Sequence, residues 1–445
     1  MKRMIKVLDL RSGSTDELNI LLTGKNQMVM ENVLQSVEDI VNSVRANGDK
    51  AVLEYTRMFD GVKIDPGEIK VAAGEIEKAC NNVDSKLVEV IRKAGRNIEN
   101  FHLKQKEKSW FTTEQEGVVL GQLYRPLETV GVYVPGGTAP LPSSVLMNVI
   151  PAKVAGVGKI IMATPPGKDG SINPAILVAA KEAGVDEIYR MGGAQAIAAL
   201  AFGTETVPKV DKIVGPGNIY VNTAKRIVFG YCDIDMFAGP SDITVVADES
   251  ANSCYIAADL LSQAEHDVLS SSILVTCSEK LAYEVKDEVE RQFSYLTRKE
   301  ILTRSLNDNS AIIIVESIER AVDIANIIAP EHLELCVKEP FNLLGCVKNA
   351  GAIFLGSFAS EPLGDYFAGP NHVLPTSGTA RFFSPLSVAD FVKKSSVISY
   401  TRNALQQVKD DIILFAEAEG LTAHANAIRI RFDAAPGSGN NKNEL

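Results

Sequence analysis

The chain lacks most of the signatures that announce a function. It has no Lys/Arg-rich run, and 45 basic residues stand against 56 acidic ones, a net charge of -11. A surface that tracks phosphates needs a basic excess, so nucleic acid is not expected as a partner. No apolar run approaches the roughly 20 residues that span a bilayer, so no membrane role is expected. Met1 to Val7 carry charges but no apolar h-region and do not read as a signal peptide. The six cysteines (80, 232, 254, 277, 336 and 346) are dispersed, with no Cys-x-x-Cys, the pattern of reduced thiols in a cytoplasmic protein. His-Glu-x-x-His and His-x-x-Glu-His are absent, which removes the standard zinc-hydrolase signatures. Gly-x-x-x-x-Gly-Lys-Ser/Thr is absent as well. Gly156-Val157-Gly158 precedes a strand and lacks a third glycine, so it is not the dinucleotide fingerprint.

Histidine is scarce, five in 445 residues, and four of the five sit in polar islands. These are Gln263-Ala264-Glu265-His266, Pro330-Glu331-His332-Leu333-Glu334, Gly364-Asp365-Tyr366…Asn371-His372 and Glu419-Gly420-Leu421-Thr422-Ala423-His424. Imidazole titrates near neutral pH and binds transition metals. A rare histidine beside carboxylates therefore points to proton transfer, metal binding or both.

Length suggests two or more domains. From Gly131 the chain alternates short apolar strands with helices. Strands are expected at Lys159–Thr164, Glu187–Met191, Lys212–Val214, Ile243–Ala247, Ser272–Thr276, Ala311–Val315 and Ala352–Leu355. Such alternation implies parallel sheets, in two α/β units. After Ser384 the chain reads as helical, and the tail Pro436–Asn443 reads as disordered. No internal sequence repeat is visible.

Each island also has a plain reading. Gln263 and His266 are three apart on an expected helix and share a face, so they could ligate one metal ion or simply end a helix. Asp365, His372 and His424 are the candidate further ligands, a nitrogen and oxygen set that zinc takes. Alternation from His332 puts His332, Glu334 and Cys336 on one side of a strand, with Glu331 at its mouth. The pair could be an acid/base couple or two solvated side chains at a turn. Gly192-Gly193-Ala194-Gln195 and Gly215-Pro216-Gly217-Asn218 each join a strand to a helix start, where backbone N–H groups can cradle an anion or merely turn the chain.

Eight stretches carry a resemblance to the histidinol dehydrogenase family: Gly131–Met147, Gly192–Phe202, Val214–Asn218, Ala238–Ser241, Leu260–Asp267, Pro330–Leu335, Gly364–Arg381 and Leu421–Ala425. They occur in family order over nearly the whole chain, with Phe237 and Asp242 as departures beside the Ala238–Ser241 block. The resemblance implies zinc-dependent, NAD-linked oxidation of L-histidinol through L-histidinal to L-histidine. It implies Zn2+, one per subunit, at Gln263, His266, Asp365 and His424, which leaves His372 a structural residue. It implies substrate contacts at Ser241, Gln263, His266, His332, Asp365, Glu419 and His424, and NAD contacts at Tyr133, Gln195 and Asn218. His332 is then the general base and Glu331 activates water for the aldehyde step. A homodimer is implied, with the C-terminal segment completing the partner's site.

The fold expected is two Rossmann-like parallel-sheet domains without GxGxxG, a small N-terminal arm and a helical C-terminal segment. The corresponding division is an arm at 1–32, a first α/β domain from 33–132 with 248–386, a second at 133–247 carrying the NAD loops, and a C-terminal dimerisation segment at 387–445. Two rivals are a related NAD-dependent dehydrogenase of another small polar alcohol, such as a sulfonated diol, and a zinc hydrolase. Glu331, His332, Glu419 and His424 argue against the first, and the Gln195 and Asn218 loops against the second.

Overall fold

A computed structural model describes residues 5–12, 27–136, 140–237 and 239–433. The expected disorder of 436–443 and the middle of the loop after Gly131–Val134 lie outside the described residues. The strands, in chain order, are β1 (Lys6–Asp9), β2 (Trp110–Thr112), β3 (Val118–Pro126), β4 (Thr129–Tyr133), β5 (Lys159–Thr164), β6 (Glu187–Arg190) and β7 (Lys212–Val214). They continue with β8 (Asp233–Ile234), β9 (Asp242–Ala247), β10 (Ser271–Thr276), β11 (Ala311–Ile314), β12 (His332–Cys336), β13 (Ala352–Leu355) and β14 (Val392–Tyr400).

The chain divides into two compact units, one of residues 1–106 and 126–391, the other of 107–125 and 392–445. The first unit holds two all-parallel sheets. One is six-stranded, in the order β1-β11-β10-β9-β12-β13, and the other is five-stranded, in the order β6-β5-β4-β7-β8. If strands are counted from β4 in the small sheet and from β9 in the large one, both read 3-2-1-4-5. Two α/β units without sequence repetition thus share one topology. Lys6–Asp9, inside the stretch expected to be an arm, adds an edge strand to the larger sheet.

The sheets form around central strands such as Asp242–Ala247, Ser271–Thr276 and Ala311–Ile314, apolar-rich runs buried on both faces. On the six-stranded sheet, Ile243, Val245, Leu274 and Ile312 pack with Ile256 and Leu260 of helix Ser253–Ala264. The alternate positions Val246, Val275, Ile313 and Leu333 pack with helix Ile318–Ile328 on the other face. The period of two assigns each residue to its face. Helix boundaries follow local rules. Asn173 caps helix Pro174–Ala183 by accepting from Ala175 N, and Gly184 ends it at φ 84.

The second unit contains the sheet β14-β3-β2, with β2 and β3 antiparallel, and the helices Arg402–Ala418 and Thr422–Arg429. The expected helical segment therefore starts at Arg402, and the nine-residue strand β14 precedes it. Val392-Lys393-Lys394-Ser395-Ser396-Val397-Ile398-Ser399-Tyr400 is mostly exposed and has no regular apolar alternation. Its strand state comes from pairing with a segment over 260 positions away, a contact that no local pattern encodes. Among the described residues no helix is long and apolar enough to cross a membrane.

Candidate active site

Three backbone junctions converge at the N-terminal edge of the six-stranded sheet. Helix Ile318–Ile328 stops at Ala329, whose φ of 53 is left-handed, and Pro330-Glu331 then leads into β12 at His332. Ser241 precedes β9, and the register sets His332 beside Ile243 on one side and Ala352 on the other. Helix Ser253–Ala264 also ends at this edge, two residues before His266. The expected helix through His266 is thus shorter. His266 lies just past the Glu265 cap, its N–H donating to the Gln263 carbonyl at 3.3 Å.

Asp242 ties these junctions together. Its Oδ1 accepts from Glu331 N at 2.9 Å and its Oδ2 from Ser377 N at 3.1 Å. Its own N–H donates to Glu331 Oε2 at 3.1 Å. Its carbonyl oxygen lies 3.2 Å from His332 Nδ1. A carbonyl can only accept, so Nδ1 carries the proton and Nε2 presents a lone pair. That Nε2 is buried with no hydrogen-bond partner, 3.9 Å from Asp365 Oδ1. Burial pushes the His332 imidazole down to about 3, so it is neutral. Burial, and then the Asp242 charge, push the Glu331 carboxyl well above its usual range, and the Ser241 side chain hydrogen-bonds the same carboxyl. The site thus sets a neutral imidazole with a free Nε2 lone pair beside a carboxyl whose burial favours its protonated form, a perturbed pair of the kind that marks a functional site.

A second cluster adjoins it. One ligand atom each from His266, Glu361 and Asp365 lies within 4.8 Å of the others. Glu361 begins the short helix Glu361–Tyr366, which Glu334 anchors by accepting from Glu361 N at 2.9 Å. Burial and the neighbouring Asp365 raise the Glu361 carboxyl to about 7, and burial raises Asp365 to about 6. Two carboxylates and an imidazole packed so closely call for a cation. Gln263, in the last turn of helix Ser253–Ala264, has an amide whose oxygen and nitrogen are both buried without partners. This nitrogen and oxygen donor set fits zinc. A cavity of about 670 Å³ opens here, lined by His332, Asp365 and His372 with Phe354, Leu363 and Leu374. His372 is held by the Asp365 carbonyl, 3.1 Å from its Nδ1.

The residues expected to meet NAD occupy the C-terminal edge of the five-stranded sheet. Tyr133 ends β4, and its hydroxyl accepts from Gly193 N at 3.2 Å. Gln195, in the first turn of helix Gly193–Phe202, is fully buried, and neither of its amide atoms has a partner. Asn218 caps helix Ile219–Val228 by accepting from Tyr220 N and Val221 N, both at 3.1 Å. Glu419 and His424 belong to the second unit, exposed at a corner that Gly420 turns at φ 74.

A family model described as histidinol dehydrogenase matches residues 23–432. The chain belongs to the histidinol dehydrogenase family. Histidinol dehydrogenase of Caldanaerobacter subterraneus is 59% identical over 96% of this chain and 99% of its own. That of Clostridium acetobutylicum is 55% identical over 97% and 100%. A crystal structure of histidinol dehydrogenase from Elizabethkingia anophelis superposes with a TM-score of 0.92 at 40% identity, covering 97% of this chain and 98% of that one. Like its relatives in the histidinol dehydrogenase family, the chain is an oxidoreductase with the α/β parallel-sheet fold. Sequence reading of the motifs brought out Glu331, His332, His266 and Asp365, which the structure gathers. It missed Asp242 as the hub of the pair and Glu361 as the third member of the cluster. Glu361 reads in sequence as an ordinary first-turn acid after Ser360, and only its burial marks it.

Proposed function

We propose that this enzyme oxidises L-histidinol through L-histidinal to L-histidine, in the cytoplasm, as the last steps of histidine biosynthesis. The observation that carries the reading is the buried Glu331–His332 pair beside the His266–Glu361–Asp365 cluster. His332 Nε2 takes the alcohol proton, since Asp242 holds the other ring nitrogen protonated. Glu331, raised in basicity by burial, takes a proton from water as it adds to the aldehyde carbon, giving the hydrated aldehyde. His332 then serves again in the second oxidation. The cavity beside His332 gives the reactive aldehyde a recess in which to be held between the two oxidations. Asp365 and Glu361 gather carboxyl groups beside the base, where a cation would be held, and Ser241 hydrogen-bonds Glu331.

Zinc would be held by Gln263, His266 and Asp365 with the partner subunit's His424, and would supply orientation of the substrate's amino and imidazole nitrogens. NAD+, received by Tyr133, Gln195 and Asn218, would supply the hydride acceptor for each oxidation. Glu419 and His424 stand exposed at a helix corner, as residues donated to a second protomer must. Ile398, Leu414 and Phe415, each about 70% exposed in the same unit, offer the apolar surface such a homodimer would cover.

The test is the NADH yield per L-histidinol, with zinc-loaded protein and excess NAD+. Two NADH per substrate, lost on chelation, is expected. One would mean that the aldehyde step fails. None, with turnover of a sulfonated diol instead, would sink the histidinol reading.

A further inference from the structure

The turn Gly215-Pro216-Gly217-Asn218 is held by more than its own hydrogen bonds. Asp235, just past β8, accepts from Gly215 N through Oδ2 at 2.8 Å. Lys225, on helix Ile219–Val228, donates to the carbonyl of the same Gly215 at 3.0 Å and ion-pairs with Asp235 Oδ1. Both side chains are 1% exposed. Asn222 Nδ2 donates to the Gly217 carbonyl at 2.9 Å. Gly215 has a φ of 115, and a Cβ there would stand 2.1 Å from the Tyr133 carbonyl oxygen. The turn is therefore laid directly on the end of β4.

A buried ion pair is a poor way to gain stability. Desolvation offsets most of its attraction, and an apolar pair of similar volume often serves packing as well. What an apolar pair cannot do is fix the N–H and the C=O of one glycine together. We propose that Lys225 and Asp235 are positioning residues for dinucleotide binding, setting the Gly215–Asn218 turn and its distance from Tyr133. This rests on the reading that the turn receives NAD+.

The test uses the full-length zinc-loaded enzyme as Lys225→Met and as Lys225→Met/Asp235→Leu, the second leaving no buried unpaired charge. Asn218→Ala reports on the turn itself. The expected result for both Lys225 variants is a KM for NAD+ raised roughly tenfold, the loss of one or two charge-assisted hydrogen bonds. The kcat at saturating NAD+ and the KM for L-histidinol should stay within about twofold. If the double variant keeps a wild-type KM for NAD+ while Asn218→Ala raises it, the positioning role is wrong and the dinucleotide reading stands. If neither variant moves that KM, the turn does not receive NAD+ and both ideas fall. Parallel loss of kcat and both KM values would mark the pair as structural only. Should neither lysine variant fold, the isosteric Asp235→Asn reads the same split.

Discussion

The two parallel sheets share the strand order 3-2-1-4-5, yet they put their polar residues at opposite edges. In the six-stranded sheet, Asp242, Glu331 and His332 stand where strands begin. In the five-stranded sheet, Tyr133, Gln195 and Asn218 stand where strands end and helices start. The difference in electrostatics follows. Helices Ser253–Ala264 and Ile318–Ile328 bring their C-termini, the negative end of the dipole, to the first edge, which favours a metal ion and an ammonium group. Helices Gly193–Phe202 and Ile219–Val228 bring their N-termini to the second, which favours a pyrophosphate. The usual rule that sites form beyond the carboxyl ends of strands holds for one sheet and is reversed in the other. One topology can therefore supply either polarity, depending on which edge carries the side chains.

The contrast can be broken by mutation, and the largest effects should come from the strand beginnings. His332→Asn should lower turnover by roughly 10²-fold or more with zinc content intact, since it removes the base and not a ligand. Wild-type turnover would end the base assignment. Asp242→Asn should lower kcat/KM roughly tenfold, because an amide cannot accept from both Glu331 N and Ser377 N. Denaturant unfolding should show a loss of about 1–3 kcal/mol in the same variant. His266→Asn should lower zinc content, read by elemental analysis, and an unchanged metal load would remove it from the ligand set. At the other edge, Gly215→Ala should act on NAD+ alone. Its methyl collides with the Tyr133 carbonyl, so the KM for NAD+ should rise while the KM for L-histidinol holds. The smallest effect is expected from Asn218→Ala, about 1 kcal/mol of stability through the lost cap, with a modest rise in the KM for NAD+.

The α/β architecture was legible because buried parallel strands need apolar runs, and runs such as Lys159-Ile160-Ile161-Met162-Ala163-Thr164 are visible in sequence. The shared topology was not legible, because strand order depends on crossovers and pairing between distant segments. β1 and β14 were missed for the same reason, since each owes its state to a remote neighbour. At the site, the Glu331–His332 dipeptide stood out because histidine is rare. Asp242 did not, because an aspartate at a strand start looks like any loop acid until its hydrogen bonds to Glu331, His332 and Ser377 are seen.

Ala329 carries a consequence of its own. A left-handed alanine is strained by about 1 kcal/mol. Glycine there would relieve that strain but lose about as much in extra freedom of the unfolded chain. The exchange is close to neutral, so a melting curve would scarcely register it. Turnover would, because the methyl narrows the set of angles at which the chain can enter Pro330 and aim the next two side chains. An Ala329→Gly variant should therefore melt close to wild type while its turnover falls, separating aim from stability.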